Sequence, residues 1–233
     1  MMLNFKQTHD LQYHYVNIGV YSESGFGKTR LCATTGCPDR TLIISCEGGL
    51  LSLREENITA VEVRTLQEVR DVLKFLKTPE GDKYDWVCLD SVTEIGNLVL
   101  REMKDENSDG RAAYMQMADK TSAIITEFRD LPKHTYMTFQ AKRIQTDTGA
   151  MLWSIEVPGN QLKHSVHYDL DEILALRAHR TETEGGGSEI VRWLQCHPDG
   201  SYTAKDRSGA LDLHEAPSLE NIANKILGDK RNG

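Results

Sequence analysis

Gly19-Val20-Tyr21-Ser22-Glu23-Ser24-Gly25-Phe26-Gly27-Lys28-Thr29 is the stretch that decides the reading of this chain. It follows the pattern G-x-x-x-x-G-K-[ST], with Ser22 in place of the first glycine. A bare Gly-Lys-Ser/Thr turns up by chance in roughly one chain in ten of this size, so the flanks have to decide. Residues 15–21 form an apolar run that predicts a strand, and 27–35 continue as a helix. A glycine loop between strand and helix turns backbone N–H groups toward one point, where phosphate oxygens fit. The cradle is Ser22, Glu23, Ser24, Gly25, Phe26, Gly27, Lys28 and Thr29, with Arg30 directly behind it. Lys28 supplies a point charge for the β- and γ-phosphates of ATP, and Thr29 a hydroxyl for Mg²⁺. Ser22 departs from the pattern without breaking it, provided its backbone keeps a negative φ.

Outward from the loop, apolar runs alternate with helical periodicity. Residues 41–46 read as a strand, followed directly by Glu47 and then Gly48-Gly49. Leu66, Val69, Val72, Leu73 and Leu76 recur at helical spacing, and Pro79 ends that helix. Residues 85–90 form a short run closing on Asp90, the second candidate Mg²⁺ ligand, with Ser91 beside it. Two helices over about 94–106 and 112–130 lead to Pro132, and 134–140 is a strand ending in Gln140. Further strands are expected at 151–157, 169–178, 190–196 and 201–204, a hairpin tip at 183–188, and a last helix at 218–227. Helix–strand alternation followed by a run of strands predicts an α/β fold. Its central sheet is largely parallel, flanked by helices and extended by antiparallel strands, in one domain over 1–233.

In such a sheet Asp90, Glu47 and Gln140 fall on the same edge as the phosphate loop. Glu47 is then the candidate carboxylate that positions an attacking water. Gln140 reads either as a sensor of the terminal phosphate or as a surface glutamine.

The 233 residues suffice for one sizeable core, and 39% apolar with 27% charged residues is ordinary for a globular protein. The net charge of −8 excludes an all-over basic coat, although a local basic groove remains open. The five scattered cysteines read as structural thiols. No apolar run is long enough to span a bilayer, and the start of the chain lacks a signal-peptide core. A cytoplasmic protein without a membrane partner is expected.

Together these pieces resemble the RecA-type recombinases, most closely a phage-encoded group of core-only RecA-like ATPases of single-strand annealing. The resemblance covers about 15–228. It rests on Ser24 to Thr29, on Cys46-Glu47-Gly48-Gly49 and Leu89-Asp90-Ser91-Val92, and on Phe139-Gln140, Pro158 to Lys163 and Ala204-Lys205-Asp206-Arg207. Apart from the phosphate loop no piece is decisive; their order and spacing together are specific. The resemblance implies a RecA-like P-loop NTPase core working in the cytoplasm of a bacterial host cell. Its cofactors would be ATP and Mg²⁺, and its partners single-stranded DNA, further copies in a filament or ring, and a single-strand-binding protein.

The resemblance also assigns residues. Glu47 is the general base, and Gln140 couples nucleotide to DNA. The segments 105–111 and 141–157 are mobile DNA loops carrying Arg111, Lys142 and Arg143, with Gly159, Asn160 and Lys163 adding phosphate contacts. Lys205 and Arg207 would reach the neighbouring subunit's γ-phosphate. Residues 1–14 would form an oligomerisation arm. A nucleotide-gated annealing scaffold with little turnover, or a helicase or loader, are the alternatives.

Overall fold

The computed structural model describes residues 14–182 and 186–228, without the side chains of Asn160, Gln161 and His164. The expected arm at 1–14 therefore lies almost wholly outside the described residues. The same holds for half of the expected hairpin tip at 183–188 and for the side chain of Asn160.

Six parallel strands form the centre of one sheet: β1 (Asn17–Ser22), β2 (Thr41–Ser45), β3 (Thr59–Glu62), β4 (Trp86–Asp90), β5 (His134–Gln145) and β7 (Glu172–Glu182). Their order is β7-β1-β5-β4-β2-β3. Antiparallel pieces extend it: β6 (Met151–Glu156) on β5, β8 (Ser188–Gln195) and β9 (Lys205–Asp206) on β7, and β10 (His214–Glu215) on β8. The helices are α1 (Leu66–Leu76), α2 (Val92–Glu106), α3 (Gly110–Arg129), α4 (Asn160–Asp169) and α5 (Leu219–Leu227).

Strand alternation divides the interior into two layers. Tyr21, Leu42, Ile44, Val87, Leu89, Met137 and Phe139 face α1 to α4. Ile18, Val20, Ile43, Trp86, Cys88 and Tyr136 face α5 and the segment after the phosphate loop. None of the described cysteines is in a disulfide; Cys32, Cys88 and Cys196 are buried packing residues.

Several elements differ from expectation, each for a local reason. The helix after the loop is a tighter 3₁₀ turn at Thr29–Thr34. Leu31 N–H is shared between Gly27 O (3.3 Å) and Lys28 O (3.1 Å), and the Thr34 hydroxyl donates back to Leu31 O. The expected mobile loop at 141–157 is a paired hairpin, because β5 continues past Gln140 and β6 returns along it in register from Gln140–Glu156 to Gln145–Met151. The expected loop at 105–111 is almost all helix ends: α2 runs to Glu106, α3 starts at Gly110, and Asp109 accepts from Arg111 N–H at 2.9 Å. The strand expected at 201–204 reduces to a bridge between Tyr202 and Trp153, and pairing to β7 falls on Lys205–Asp206. β3 and β10 had no sequence signal, being short, and β3 is mostly exposed.

Both neighbours of β1 overrun it. β1 ends at Ser22 opposite Gln140, and its pairing with β7 ends at Tyr21–Ala175. β5 continues five residues further and β7 seven, each turning back as a hairpin. The phosphate loop thus sits between two antiparallel arms.

Candidate active site

A cleft of about 560 Å³ opens over the C-terminal edge of the parallel strands. Ser22, Glu23, Ser24, Gly25, Gly27, Lys28, Thr29 and Arg30 line one side, and Glu47, Asp90, Ser91 and Gln140 the other. Gly25 (φ 82°) and Gly27 (φ 106°) hold the left-handed backbone that lets the loop fold on itself. Ser22 completes β1 with negative φ, so the substituted glycine position carries no strain. Phe26 turns its half-buried ring into the layer with Leu31 and Tyr136 rather than into the cleft.

Lys28 donates to Ser22 O (2.8 Å), Ser22 Oγ (3.2 Å) and Glu23 O (3.1 Å). Burial holds its ammonium below the usual lysine range, against the opposing pull of Asp90 and Glu47. The loop is fixed from below by the Tyr136 hydroxyl, which donates to Lys28 O at 2.8 Å. Arg30 bonds Ser52 O (3.1 Å) and pairs with Glu56 (2.6 Å), tying the turn Leu50–Leu53 to the cleft.

Asp90 is 7% exposed, and both its oxygens are engaged. Thr29 Oγ1 donates to Oδ2 (2.7 Å) and Thr138 Oγ1 to Oδ1 (2.5 Å). The pairing Leu89–Met137 puts Thr138 beside Asp90, on the face that Trp86 and Cys88 share. A hydroxyl and a carboxylate in contact at the loop are the hard oxygen pair that Mg²⁺ takes alongside phosphate oxygens. The residues therefore fit the ion.

Glu47 is exposed at the end of β2, and its Oε1 accepts from Ser91 Oγ at 2.6 Å. Ser91 also caps α2 by accepting from Glu94 N–H (3.3 Å), so its hydroxyl is held by the helix start. Gln140 reaches the cleft as β5 leaves the sheet. Its N–H donates to Thr93 Oγ1 (3.1 Å), whose hydroxyl donates to Glu156 O (2.6 Å), clamping the base of the β5–β6 arm onto α2.

The remaining expected residues lie away from the cleft. Lys142 and Arg143 follow Gln140 on the arm but point to opposite faces. Lys142 is 3.9 Å from Glu156, whereas Arg143 lies over Trp153 (5.2 Å), which stacks on Tyr202 (6.3 Å). Lys163 on α4 is pulled below its usual range by burial and by the nearby Lys142 ammonium, so these two lysines share one cationic patch. Gly159 (φ 83°) immediately precedes α4, and Arg111 lies in the first turn of α3. Lys205 and Arg207 lie at the opposite edge of the sheet, near the start of β7. Lys205 donates to His167 O and Leu170 O, each at 2.7 Å, and Arg207 holds Asp171 (2.6 Å) and Tyr168 O (2.9 Å).

Two residues bonded to the site from outside the cleft lining escaped sequence reasoning. Thr138 is an ordinary strand threonine until the register sets it against Asp90. Arg192 on β8 donates through Nε to Phe26 O at 2.9 Å, and no sequence spacing links it to the loop.

A family model described as an AAA domain matches residues 14–208. Comparison with curated proteins finds no match.

Proposed function

The chain belongs to the AAA domain family, nucleotide-binding P-loop ATPases, and on that premise we propose that it assembles on single-stranded DNA and promotes annealing or strand pairing. One observation carries the reading. A single strand, β5, supplies the Asp90 partner Thr138, the cleft residue Gln140 and the cations Lys142 and Arg143 of the arm beyond it. Whatever reorders the cleft acts on a strand that also bears a cationic surface.

At the cleft, Lys28 exchanges its loop carbonyl partners for phosphate oxygens. That exchange returns a desolvated ammonium to an anionic environment. Glu47, aimed by Ser91, orients a water and accepts its proton. Thr29 and Asp90 would hold Mg²⁺, which supplies positive charge to the phosphate oxygens. Gln140 lies where a terminal phosphate can engage its amide, and its backbone is fixed to Thr93.

The expected cationic pair Lys205 and Arg207 has a place in this scheme only through assembly. They sit on the edge of the sheet opposite their own cleft, so a head-to-tail neighbour would be needed to bring them to a phosphate. Homo-oligomerisation is therefore part of the proposal, and a single-strand-binding protein is its natural supplier of covered DNA. Among the described residues no helix is long and apolar enough to cross a membrane.

Phosphate release from ATP, measured with and without single-stranded DNA, tests the reading. DNA-stimulated release supports it. Release indifferent to DNA removes the DNA partner and leaves an ATPase. ATP-promoted DNA binding without release leaves a nucleotide-gated annealing scaffold.

A further inference from the structure

We propose that Arg192 is a nucleotide ligand, taking the nucleoside-side phosphates, α and β, with its guanidinium. This rests on the nucleotide-binding reading of the cleft. β7 pairs with β1 up to Tyr21–Ala175 and then continues beyond the sheet edge, so the β7–β8 arm stands beside the phosphate loop on the side away from β5. On that arm Arg192 lies opposite Ala178, whose small side chain leaves the guanidinium free to lean toward the loop. It reaches the loop at its tightest point. Nε donates to Phe26 O at 2.9 Å and lies 3.6 Å from where a Cβ on Gly27 would stand.

The consequence is a charge fixed in place with its donors unused. Nε anchors the side chain, and the two terminal nitrogens have no acceptor among the described residues. Two neighbouring arginines are engaged, Arg30 with Glu56 and Ser52 O, and Arg177 with Asp199 and Gln195. An exposed arginine left to itself loses side-chain entropy on meeting a phosphate; one already held by Nε loses less. Two parallel N–H donors then meet phosphate oxygens in the geometry that guanidinium groups favour.

Topology says which phosphates these are. Asp90, Glu47 and Gln140 belong to β4, the end of β2 and β5, all to one side of β1. Arg192 comes from the other side. A phosphate chain laid over the loop with its γ end toward Glu47 presents its nucleoside end to Arg192. Arg192 therefore serves ATP and ADP alike.

Equilibrium binding of MgATP and MgADP to the full chain tests this in wild type, R192A, R192K, R192Q and K28A. The expected result is that R192A weakens both nucleotides by the same factor, about tenfold. R192K should recover only part of the loss, since it keeps the charge but not the paired donors. R192Q should recover none of it, although its amide can still donate to Phe26 O. Unchanged affinity in R192A overturns the proposal. So does recovery in R192Q, which would reduce Arg192 to a brace for the loop, and so does a loss confined to ATP, which would put it at the γ-phosphate. Wild type that fails to bind ATP, or K28A that binds like wild type, would instead bring down the nucleotide reading itself.

Discussion

Replacing Glu47 with glutamine keeps the shape of the side chain and its ability to accept from Ser91 Oγ at 2.6 Å, but removes the proton acceptor. A positioned general base contributes 10² to 10⁴ in rate, about 3–5 kcal/mol of barrier, so turnover at saturating ATP should fall by at least about a hundredfold. Glu47 lies at the end of β2 and Lys28 on the phosphate loop, so E47Q should still bind nucleotide. Ser91→Ala gives the internal control. It frees Glu47 to sample other rotamers, worth up to about 1.5 kcal/mol, and should therefore slow turnover about tenfold. Because Ser91 acts on the chemistry only through Glu47, adding S91A to E47Q should slow turnover no further. The lost cap on Glu94 N–H should still lower stability by about 1 kcal/mol in either background. The assay is steady-state phosphate release with single-stranded DNA at saturating ATP, beside thermal melts of all four proteins. E47Q turning over within threefold of wild type would refute Glu47 as the base. Rate effects that multiply in the double variant would refute Ser91 as its positioner.

Thr138→Val, in a fully buried site, removes the 2.5 Å hydrogen bond to Asp90; denaturant melts should show a loss of about 2 kcal/mol and a smaller added stabilisation by MgATP. Glu172 is 1% exposed beside Asp206, and burial, then the Asp206 charge, raises its carboxyl from 4.5 to about 8. Unfolded Glu172 loses its proton near 4.5 and folded Glu172 only near 8, so the native state binds more protons between them and stability must fall across that window as pH rises. Melts of E172Q from pH 5 to 8 should show that slope reduced. Neutralising Lys142 or Lys163 should flatten the dependence of single-stranded DNA affinity on salt by about 0.7 for each phosphate no longer neutralised, read from titrations at several salt concentrations. Arg207→Ala should still assemble on DNA yet lose turnover by at least roughly a hundredfold, as expected of a cation reaching a neighbour's phosphate; wild-type turnover in the assembled variant would exclude that role.

The parallel centre of this sheet was legible because its strands are buried on both faces. Residues 41–46 and 85–90 are short apolar runs ending in an acid or a turn, and such runs need no partner to be recognised. β3 was not legible, since three of its four residues are exposed and only its pairing to β2 makes it a strand. β6 lies where a strand was expected, but the continuation of β5 past Gln140 to pair with it was missed for the same reason in reverse. Lys142, Arg143 and their neighbours look like a cationic loop when read alone. Once β6 returns, Arg143 finds Trp153 across the ladder and Lys142 finds Glu156. For the site, residues where the parallel pairing ends or just beyond it (Asp90, Glu47, Gln140) could be placed on one edge by topology alone, although β5 itself runs on past Gln140. Thr138 and Arg192 could not, because each needs a register: Leu89 against Met137 for one, Ala178 against Arg192 for the other.

That register has a further consequence for coupling. The two arms beside the phosphate loop are not independent. Arg143 lies over Trp153, Trp153 stacks on Tyr202, and Arg177 of β7 lies 4.3 Å over Tyr202 and 5.3 Å over Trp193 of β8. Tyr21, one residue before the loop, donates its hydroxyl to Thr203 O (2.6 Å) and Trp153 O (3.0 Å) beneath this stack. A chain of cation–π and hydrogen-bonded contacts thus runs from one arm to the other over the end of β1. A nucleotide can bias such an element only by binding its two arrangements unequally. Under the proposals above the means would lie on both sides of the phosphate chain, with Gln140 on β5 at the terminal end and Arg192 on β8 at the other. If Arg192 and Gln140 both engage the nucleotide as proposed, ATP would touch both arms at once and loss of the terminal phosphate would release only the β5 side, the arm that carries Lys142 and Arg143.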